Sequence, residues 1–207
     1  MHGFKGNLGY DDSKILYALS HYLNQQGIST LRFDFDGTGH SDGEFKDMTV
    51  FSEILDGMKI IDYAHTTMQA KKIYLIGHSQ GGVVALMLAA YYSDIITKLV
   101  LLAPAATLKD DALKGVCQGS QYDLNHIPET VDMHGFTVGG DYFRTAQLLP
   151  IYETAQHYSG PTLLIHGLAD NVVSPEALKK YNVIMPNSEL HLIPGEGHMF
   201  NGPKFQE

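Results

Sequence analysis

The sequence has one cysteine, Cys117, and no tryptophan. A single cysteine cannot form a disulfide within the chain, so we expect a reducing compartment such as the bacterial cytoplasm. No apolar run approaches the roughly 20 residues that cross a bilayer, and we expect no membrane span. Residues 1–4 are neither basic nor part of a long apolar segment, so no signal peptide is expected.

Positive charge is also scarce, with 14 Lys and Arg residues against 23 Asp and Glu residues and a net charge of −9. This balance disfavours nucleic acid and anionic membranes as partners. The histidines are scattered, without the short His or Cys spacings of metal sites, and no dinucleotide fingerprint is present. We therefore expect neither a metal nor a cofactor, and a small molecule as the ligand.

The 207 residues are 44% hydrophobic and 18% charged, which is typical of one globular domain spanning residues 1–207. Short segments rich in Ile, Leu and Val predict strands buried on both faces. These segments are 28–35, 71–77, 97–103, 161–167 and 188–194. Between them, helical spacing of apolar residues predicts helices within 11–27, 47–65 and 174–185. The alternation predicts an α/β fold with a mostly parallel sheet and helices on both faces.

Two details refine the predicted helices. In the 47–65 helix the apolar positions at helical spacing are Phe51, Ile54, Leu55, Met58 and Ile61. The later helix begins with Ser174 as its N-cap and Pro175 at the first helical position.

Residues from about 105 to 146 interrupt the alternation. This stretch is rich in glycine and polar residues and shows no sustained period. We interpret it as an insertion between a strand and the next helix. It forms either a lid over a pocket or a surface excursion without a role.

One short motif points to chemistry. The predicted strand 71–77 leads into Gly77-His78-Ser79-Gln80-Gly81, and an apolar helical segment follows. A Gly-x-Ser-x-Gly turn between a strand and a helix is the context of a nucleophile elbow. The alternative is that Ser79 is only a helix N-cap, which would not explain both flanking glycines.

A serine nucleophile needs a base and an acid that orients the base. His198 follows the last predicted strand in a glycine-rich loop, and Asp170 follows the preceding strand. Because ligand sites collect at the carboxyl ends of parallel strands, we expect Ser79, Asp170 and His198 to converge. Taken alone, Asp170 is equally well explained as a turn residue. We expect His78 to point away and pack, and His166 to support a loop.

Acyl transfer also needs two donors for the oxyanion. The candidates are the backbone N–H groups of Gln80, next to the nucleophile, and of Phe4 in the segment 2–7. The Gly- and Asp-rich segment 32–43 is interpreted as structural, with turns that lie near the rim of the site.

Several motifs together resemble the α/β-hydrolase superfamily, and within it the bacterial feruloyl (cinnamoyl) esterases. They run along the whole chain as HGFKGN, RFDFDGTGHSDG, GHSQGG, LLAPAA, LPIYE, IHGLADNVVSP and GEGH. The resemblance implies an α/β-hydrolase fold with a small lid, Ser79 as nucleophile, His198 as base, Asp170 as acid, and Phe4 and Gln80 at the oxyanion hole.

In the lid, the resemblance implies that Asp111, Gln118 and Tyr142 face the phenolic end of a hydroxycinnamoyl group. A buried phenol needs a hydrogen-bonding partner, which a polar lid residue supplies. The alternative for these three residues is a solvated lid surface.

The sequence departs from the superfamily pattern at its N-terminal side. In that pattern the His-Gly segment follows a third strand, which lies between those equivalent to 28–35 and 71–77. The N-terminal strands of the pattern are thus missing here, and a free sheet edge is costly. The open outcomes are a fragment of a longer product, direct pairing of the two strands, or a strand from another copy. We expect reduced stability or a homo-oligomer.

The function that these residues favour is hydrolysis of hydroxycinnamate esters through a Ser-His-Asp triad. The same triad serves broader carboxylesterases, monoacylglycerol lipases and thioesterases, and fold does not fix the substrate. A different class of function is also open, namely a non-catalytic binding protein whose truncated sheet no longer holds the triad in the geometry that catalysis needs.

Overall fold

A computed structural model describes residues 1–202 of the chain. In chain order, the helices and strands are α1 (Ile15–Gln25), α2 (Val50–Asp62), β1 (Ile73–His78), α3 (Gln80–Tyr91), β2 (Ile96–Leu102), α4 (Leu108–Leu113), β3 (Val116–Cys117), β4 (Ser120–Gln121), β5 (Thr130–Asp132), β6 (Thr137–Gly139), α5 (Gly140–Ala146), α6 (Ile151–Ala155), β7 (Thr162–Gly167), α7 (Pro175–Ile184) and β8 (Ser188–Ile193). No helix within residues 1–202 has both the length and the apolarity that a bilayer crossing requires.

The central sheet has four strands in the order β1-β2-β7-β8, and every pair is parallel. These strands correspond to four of the five predicted strand segments, with boundaries that differ by at most two residues. The prediction of an α/β fold built on a parallel sheet is confirmed. Parallel strands end at the same edge, so the loops after β1, β7 and β8 lie together there.

Alternate residues of the strands form two apolar layers, as expected for a sheet covered on both faces. On one face, Leu75, Leu99 and Leu164 join the main core, to which α2, α3 and α7 also contribute. On the other face, Leu102 and its neighbours pack with α1 and Phe200. In this second layer Leu102 is buried, but the other strand residues are only partly buried. They are Ile76, Val100, Ile165 and Ile193.

The prediction of a strand at 28–35 is wrong for this chain. The segment follows α1 without joining the sheet, and residues 28–31 are exposed. A strand is stabilised by hydrogen bonds to a neighbour, and none lies beside this segment among residues 1–202. The composition of the segment favours a strand, but composition alone does not create a pairing partner.

Among residues 1–202, the edge of β1 that is not paired with β2 makes backbone hydrogen bonds at its carboxyl end with Met1. The backbone N–H of His78 donates to the Met1 carbonyl oxygen at 3.0 Å, and the amino group of Met1 donates to the Ile76 carbonyl oxygen at 2.7 Å. Direct pairing of 28–35 with β1, one of the three open outcomes, is therefore not what the chain adopts.

Helix α2 begins with a capping box, in which Thr49 and Ser52 bond each other's backbone N–H groups at 3.0 Å. Its buried stripe is not the whole predicted apolar face, because Phe51 is 37% exposed and Leu55 is 57% exposed. Instead the stripe contains a carboxylate and a glycine. It consists of Val50, Glu53, Ile54, Gly57 and Ile61.

Helix α7 begins as predicted. The Ser174 hydroxyl accepts a hydrogen bond from the backbone N–H of Glu176 at 3.3 Å, and Pro175 occupies the first helical position. Both features suit a helix start.

The insertion at 105–146 folds into short elements rather than a loop. Helices α4 and α5 flank two antiparallel ribbons, β3-β4 and β5-β6. Helix α5 contacts both α4 and α2. The insertion is thus attached to the main core beside the start of α3.

Candidate active site

Ser79 lies at a sharp turn between β1 and α3. Its backbone angles are φ 54° and ψ −124°, a region that side-chain-bearing residues rarely adopt. Close approach of the surrounding backbone requires glycine on both sides of it. A Cβ on Gly77 would lie 2.2 Å from the Gly81 carbonyl oxygen, and one on Gly81 would lie 2.2 Å from the His2 carbonyl oxygen.

Backbone hydrogen bonds hold this turn in place. The N–H of Ser79 donates to the Leu102 carbonyl oxygen at 2.9 Å, and its own carbonyl accepts from Gly82 and Ala105 at 2.9 and 3.0 Å. The side chain of Ser79 makes no capping bond at the start of α3. The N-cap alternative therefore does not describe what the hydroxyl does.

The side chains of Ser79, His198 and Asp170 lie in contact. His198 Nε2 is 2.9 Å from Ser79 Oγ, and His198 Nδ1 is 2.8 Å from Asp170 Oδ2. All three residues come from loops or turns at the carboxyl ends of β1, β7 and β8, where the sequence placed them. Distances of this size allow a proton to pass from the hydroxyl to the imidazole.

Asp170 is held as a carboxylate. Burial acts to raise the pKa of this carboxyl, but hydrogen bonds from His166, His198 and the backbone N–H groups of Val173 and Val172 outweigh it and lower the pKa. The two backbone N–H groups donate to Oδ1 at 2.9 and 2.8 Å. Asp170 is thus both a turn residue and the partner of His198, so the two interpretations of it are compatible.

His78 packs in the interior, as expected, but it also contacts the loop that carries His198. Its side chain is buried, and its Nε2 donates to the carbonyl oxygen of His198 at 2.8 Å. Burial lowers the pKa of His78 to about 4, so the ring is neutral near pH 7. The contact supports the loop that carries His198. In the sequence, the signal for it is that His78 is adjacent to Ser79.

Both candidate oxyanion donors lie at the same cleft as Ser79. Gln80 is the first residue of α3, and the first N–H groups of a helix have no partner within the helix. Phe4 follows His2, whose carbonyl oxygen lies against Gly81. Phe4 and Gln80 therefore both line the cleft that contains Ser79.

The segment 32–43 supports the loop that carries Phe4, in agreement with the structural interpretation. Asp34 accepts hydrogen bonds from the backbone N–H groups of Leu8 and His40, at 2.6 and 2.9 Å. Arg32 donates to the carbonyl oxygens of Leu8 and Gly9 at 2.6 and 2.7 Å.

The cleft contains about 550 Å³ of empty space, its open mouth included. The insertion supplies a large part of its wall, so it is not a surface excursion remote from Ser79. The insertion residues there are Ala105, Thr107, Leu108, Asp111, Ala112, Val116, Cys117, Gln118, Tyr122, Tyr142, Phe143 and Ala146.

The three lid residues implied by the resemblance all line the cleft, but in different surroundings. Asp111 is half-buried and Gln118 is exposed, whereas only 3% of Tyr142 is exposed. The Tyr142 hydroxyl donates to Gln80 Oε1 at 2.7 Å. Its hydrogen is therefore already engaged, and the thiol of Cys117 also lies within hydrogen-bonding reach of this hydroxyl.

Glu53, which the sequence motifs did not point to, completes this network. Gln80 Nε2 donates to Glu53 Oε2 at 2.8 Å, and burial raises the pKa of the Glu53 carboxyl to about 8. A buried chain therefore runs from Glu53 through Gln80 to Tyr142 at the cleft. A carboxylate inside the Val50–Gly57 stripe of α2 was the signal that could have revealed it.

Comparisons with known proteins agree with this fold. Residues 8–127 match the family model of the serine aminopeptidases, S33. A structure of Est1E from Butyrivibrio proteoclasticus with ferulic acid bound is 35% identical, with a TM-score of 0.91, over 96% of this chain and 79% of that one.

Curated relatives are more distant and longer. The human serine hydrolase BPHL is 25% identical over 85% of this chain, which spans 65% of that protein. The human mitochondrial palmitoyl-protein thioesterase ABHD10 is 25% identical over 81% of this chain, which spans 56% of it. The chain thus spans less than two thirds of these relatives. The family match covers more than half of the chain and agrees with the fold, and the chain therefore belongs to the serine aminopeptidase S33 family of α/β-hydrolases.

Proposed function

We propose that this chain is a serine carboxylesterase that hydrolyses hydroxycinnamate esters through a Ser79–His198–Asp170 triad. The observation that carries the proposal is the pair of contacts that His198 makes, at 2.9 Å to Ser79 Oγ and 2.8 Å to Asp170 Oδ2. An imidazole between a hydroxyl and a carboxylate is the arrangement that activates a serine nucleophile.

In the first half of the reaction, Ser79 Oγ attacks the ester carbonyl while His198 Nε2 takes its proton. The carbonyl oxygen gains negative charge, which the N–H groups of Phe4 and Gln80 stabilise. The C–O bond to the alcohol then breaks, and His198 gives its proton to the leaving alkoxide. Asp170 accepts the hydrogen bond from Nδ1 throughout and keeps Nε2 available as the base.

In the second half, water attacks the acyl-enzyme while His198 takes one of its protons. Collapse of the tetrahedral intermediate breaks the bond to Ser79 Oγ, which recovers a proton from His198. The products are the free acid and the alcohol, and no cofactor takes part in either half.

Tyr142 supports the choice of a phenolic acyl group. Because its hydroxyl donates to Gln80, its oxygen can serve a ligand only as an acceptor. A substrate whose free phenol lies beside the Tyr142 hydroxyl supplies the matching donor, whereas a methoxy group in the same place does not. The 35% identity to a protein that binds ferulic acid points to the same class.

The test compares ethyl ferulate with ethyl 3,4-dimethoxycinnamate, which differ in the 4-hydroxyl. One buried hydrogen bond is worth about 1 kcal/mol, so we expect kcat/KM for ferulate to be about 5- to 10-fold higher. Tyr142→Phe is expected to reduce this ratio towards one. Tyr158→Phe is the matched control, because the Tyr158 hydroxyl is buried but donates to the Ile96 carbonyl oxygen.

Ser79→Ala should abolish turnover and labelling by a fluorophosphonate. If wild-type protein neither turns over these esters nor reacts with the probe, the esterase proposal is wrong and a binding role is favoured. If a monoacylglycerol or a palmitoyl thioester is preferred by a clear margin, the triad chemistry stands and the hydroxycinnamate assignment is wrong.

A further inference from the structure

Asp170 is shared by two imidazoles. Its Oδ2 lies 2.8 Å from His198 Nδ1 and also 2.8 Å from His166 Nε2. His166 is the penultimate residue of β7, and its side chain is fully buried, as is that of Asp170. The reaction above uses the contact with His198 and assigns nothing to His166.

The partners of His166 determine which of its nitrogens carries hydrogen. Nε2 lies near two acceptors, Asp170 Oδ2 and the Val173 carbonyl oxygen, the latter at 3.1 Å. Nε2 must therefore be the donor. Within residues 1–202, Nδ1 has no hydrogen-bond partner. The tautomer with hydrogen on Nε2 and none on Nδ1 leaves no buried N–H of this ring without an acceptor.

We propose that His166 is a positioning residue for the triad, an inference that rests on the proposed esterase function. Its Nε2–H fixes the orientation of Asp170 and disperses the negative charge on Oδ2. It thereby limits how strongly the carboxylate holds a proton on His198. With Val172 and Val173 bonded to Oδ1, both oxygens of the carboxylate are held and the group cannot rotate.

Other titratable groups also face this pair. His78, from β1, donates to the His198 carbonyl oxygen and is neutral near pH 7 because burial lowers its pKa to about 4. Glu196 is buried in the loop that carries His198, and its Oε2 accepts a hydrogen bond from the Gly202 N–H at 3.0 Å. Neither residue changes among the variants compared below, so differences between those variants report on His166.

The experiment compares three substitutions. His166→Phe keeps a ring and removes the donor. His166→Gln can place an amide N–H near the position of Nε2, whereas His166→Asn places one near Nδ1, where no partner lies. The profile of kcat/KM against pH is measured for an ester that the wild-type protein hydrolyses.

Without the His166 donor, the negative charge on Asp170 Oδ2 is less dispersed, and the carboxylate holds a proton on His198 more firmly. For His166→Phe we expect the acid limb of the profile to move to higher pH by about half a unit or more. We expect kcat to fall about tenfold, because the base is less well held. His166→Gln should restore both quantities towards wild type, and His166→Asn should resemble His166→Phe.

A wild-type pH profile and kcat in His166→Phe would overturn the proposal, and so would equal behaviour of the Gln and Asn variants. The Gln and Asn pair decides the matter if the Phe variant does not fold, because both place an amide in the same buried space.

A second readout does not depend on turnover. In Ser79→Ala protein, the proton on His198 Nδ1 is observed by NMR, and its resonance moves downfield as the bond to Asp170 strengthens. We expect a downfield shift when His166→Phe is added and little change with His166→Gln. If that shift occurs while wild-type protein hydrolyses no ester, the esterase proposal fails and the contact assigned to His166 stands. If the resonance does not move, the inference about His166 fails by itself.

Discussion

Replacing Ser79 by glycine is expected to yield a more stable protein than replacing it by alanine, although both variants should lack esterase activity. The backbone angles of Ser79, φ 54° and ψ −124°, suit glycine and strain every residue with a Cβ. The comparison isolates this strain, because both variants lose the hydrogen bond between the hydroxyl and His198.

The magnitude follows from two opposing terms. Strained backbone of this kind costs about 1–3 kcal/mol, which glycine avoids. Glycine also gains freedom in the unfolded chain, which costs about 0.4–1 kcal/mol relative to alanine. The free energy of unfolding of Ser79→Gly should therefore exceed that of Ser79→Ala by about 1 kcal/mol, or about 2–4 °C in Tm for a chain of this size.

The assay is urea unfolding followed by circular dichroism, with a thermal melt as a second measure. Lys59 provides a matched control, because it lies in α2 with its side chain 77% exposed. There the order reverses, and Lys59→Gly should be about 1 kcal/mol less stable than Lys59→Ala. Equal stability of the two Ser79 variants, or greater stability of the alanine variant, would refute the claim that the turn is strained.

Two further predictions concern α2. Thr49→Ala removes the capping box and should lower the free energy of unfolding by about 1 kcal/mol, as measured by urea unfolding; an unchanged midpoint would contradict the cap. The Glu53→Gln prediction concerns pH. Burial raises the pKa of Glu53 from 4.5 to about 8, so its contribution to stability falls as pH rises between these values. Burial lowers the pKa of the Met1 ammonium from 8.0 to about 5, so its contribution rises over nearly the same range and offsets that of Glu53. In Glu53→Gln, the free energy of unfolding should therefore rise from pH 5 to 8, by at most about 1.4 kcal/mol per pH unit. The measurement is urea unfolding over this pH range on protein with a free amino group at Met1. A flat profile in the variant would show that the two groups do not offset each other.

Much of the sheet and of the candidate site could be predicted because the signals are local. Apolar runs marked β1, β2, β7 and β8, and the glycines around Ser79 marked the turn between β1 and α3. Since parallel strands end at one edge, the order of Ser79, Asp170 and His198 along the chain was enough to predict that they meet.

Prediction failed where the decisive partner is distant in sequence. Residues 28–35 have the composition of a strand, but a strand also needs a neighbour, which their own side chains do not specify. In α2, helical spacing suggested that Phe51 and Leu55 were buried, yet packing against α3 selects the side of the helix that contains Glu53 and Gly57.

The sequence by itself determined the fold class and the identity of the three side chains that meet at the site. The signals for both, apolar strand segments and glycine-rich turns, are formed by residues that are adjacent in the chain. Only the tertiary structure decided what surrounds these three side chains. His78 reaches the His198 carbonyl 120 positions away, and Glu53 reaches Gln80 across 27 positions. Contacts of this kind arise from how helices and loops pack on the sheet, and that packing depends on the whole chain.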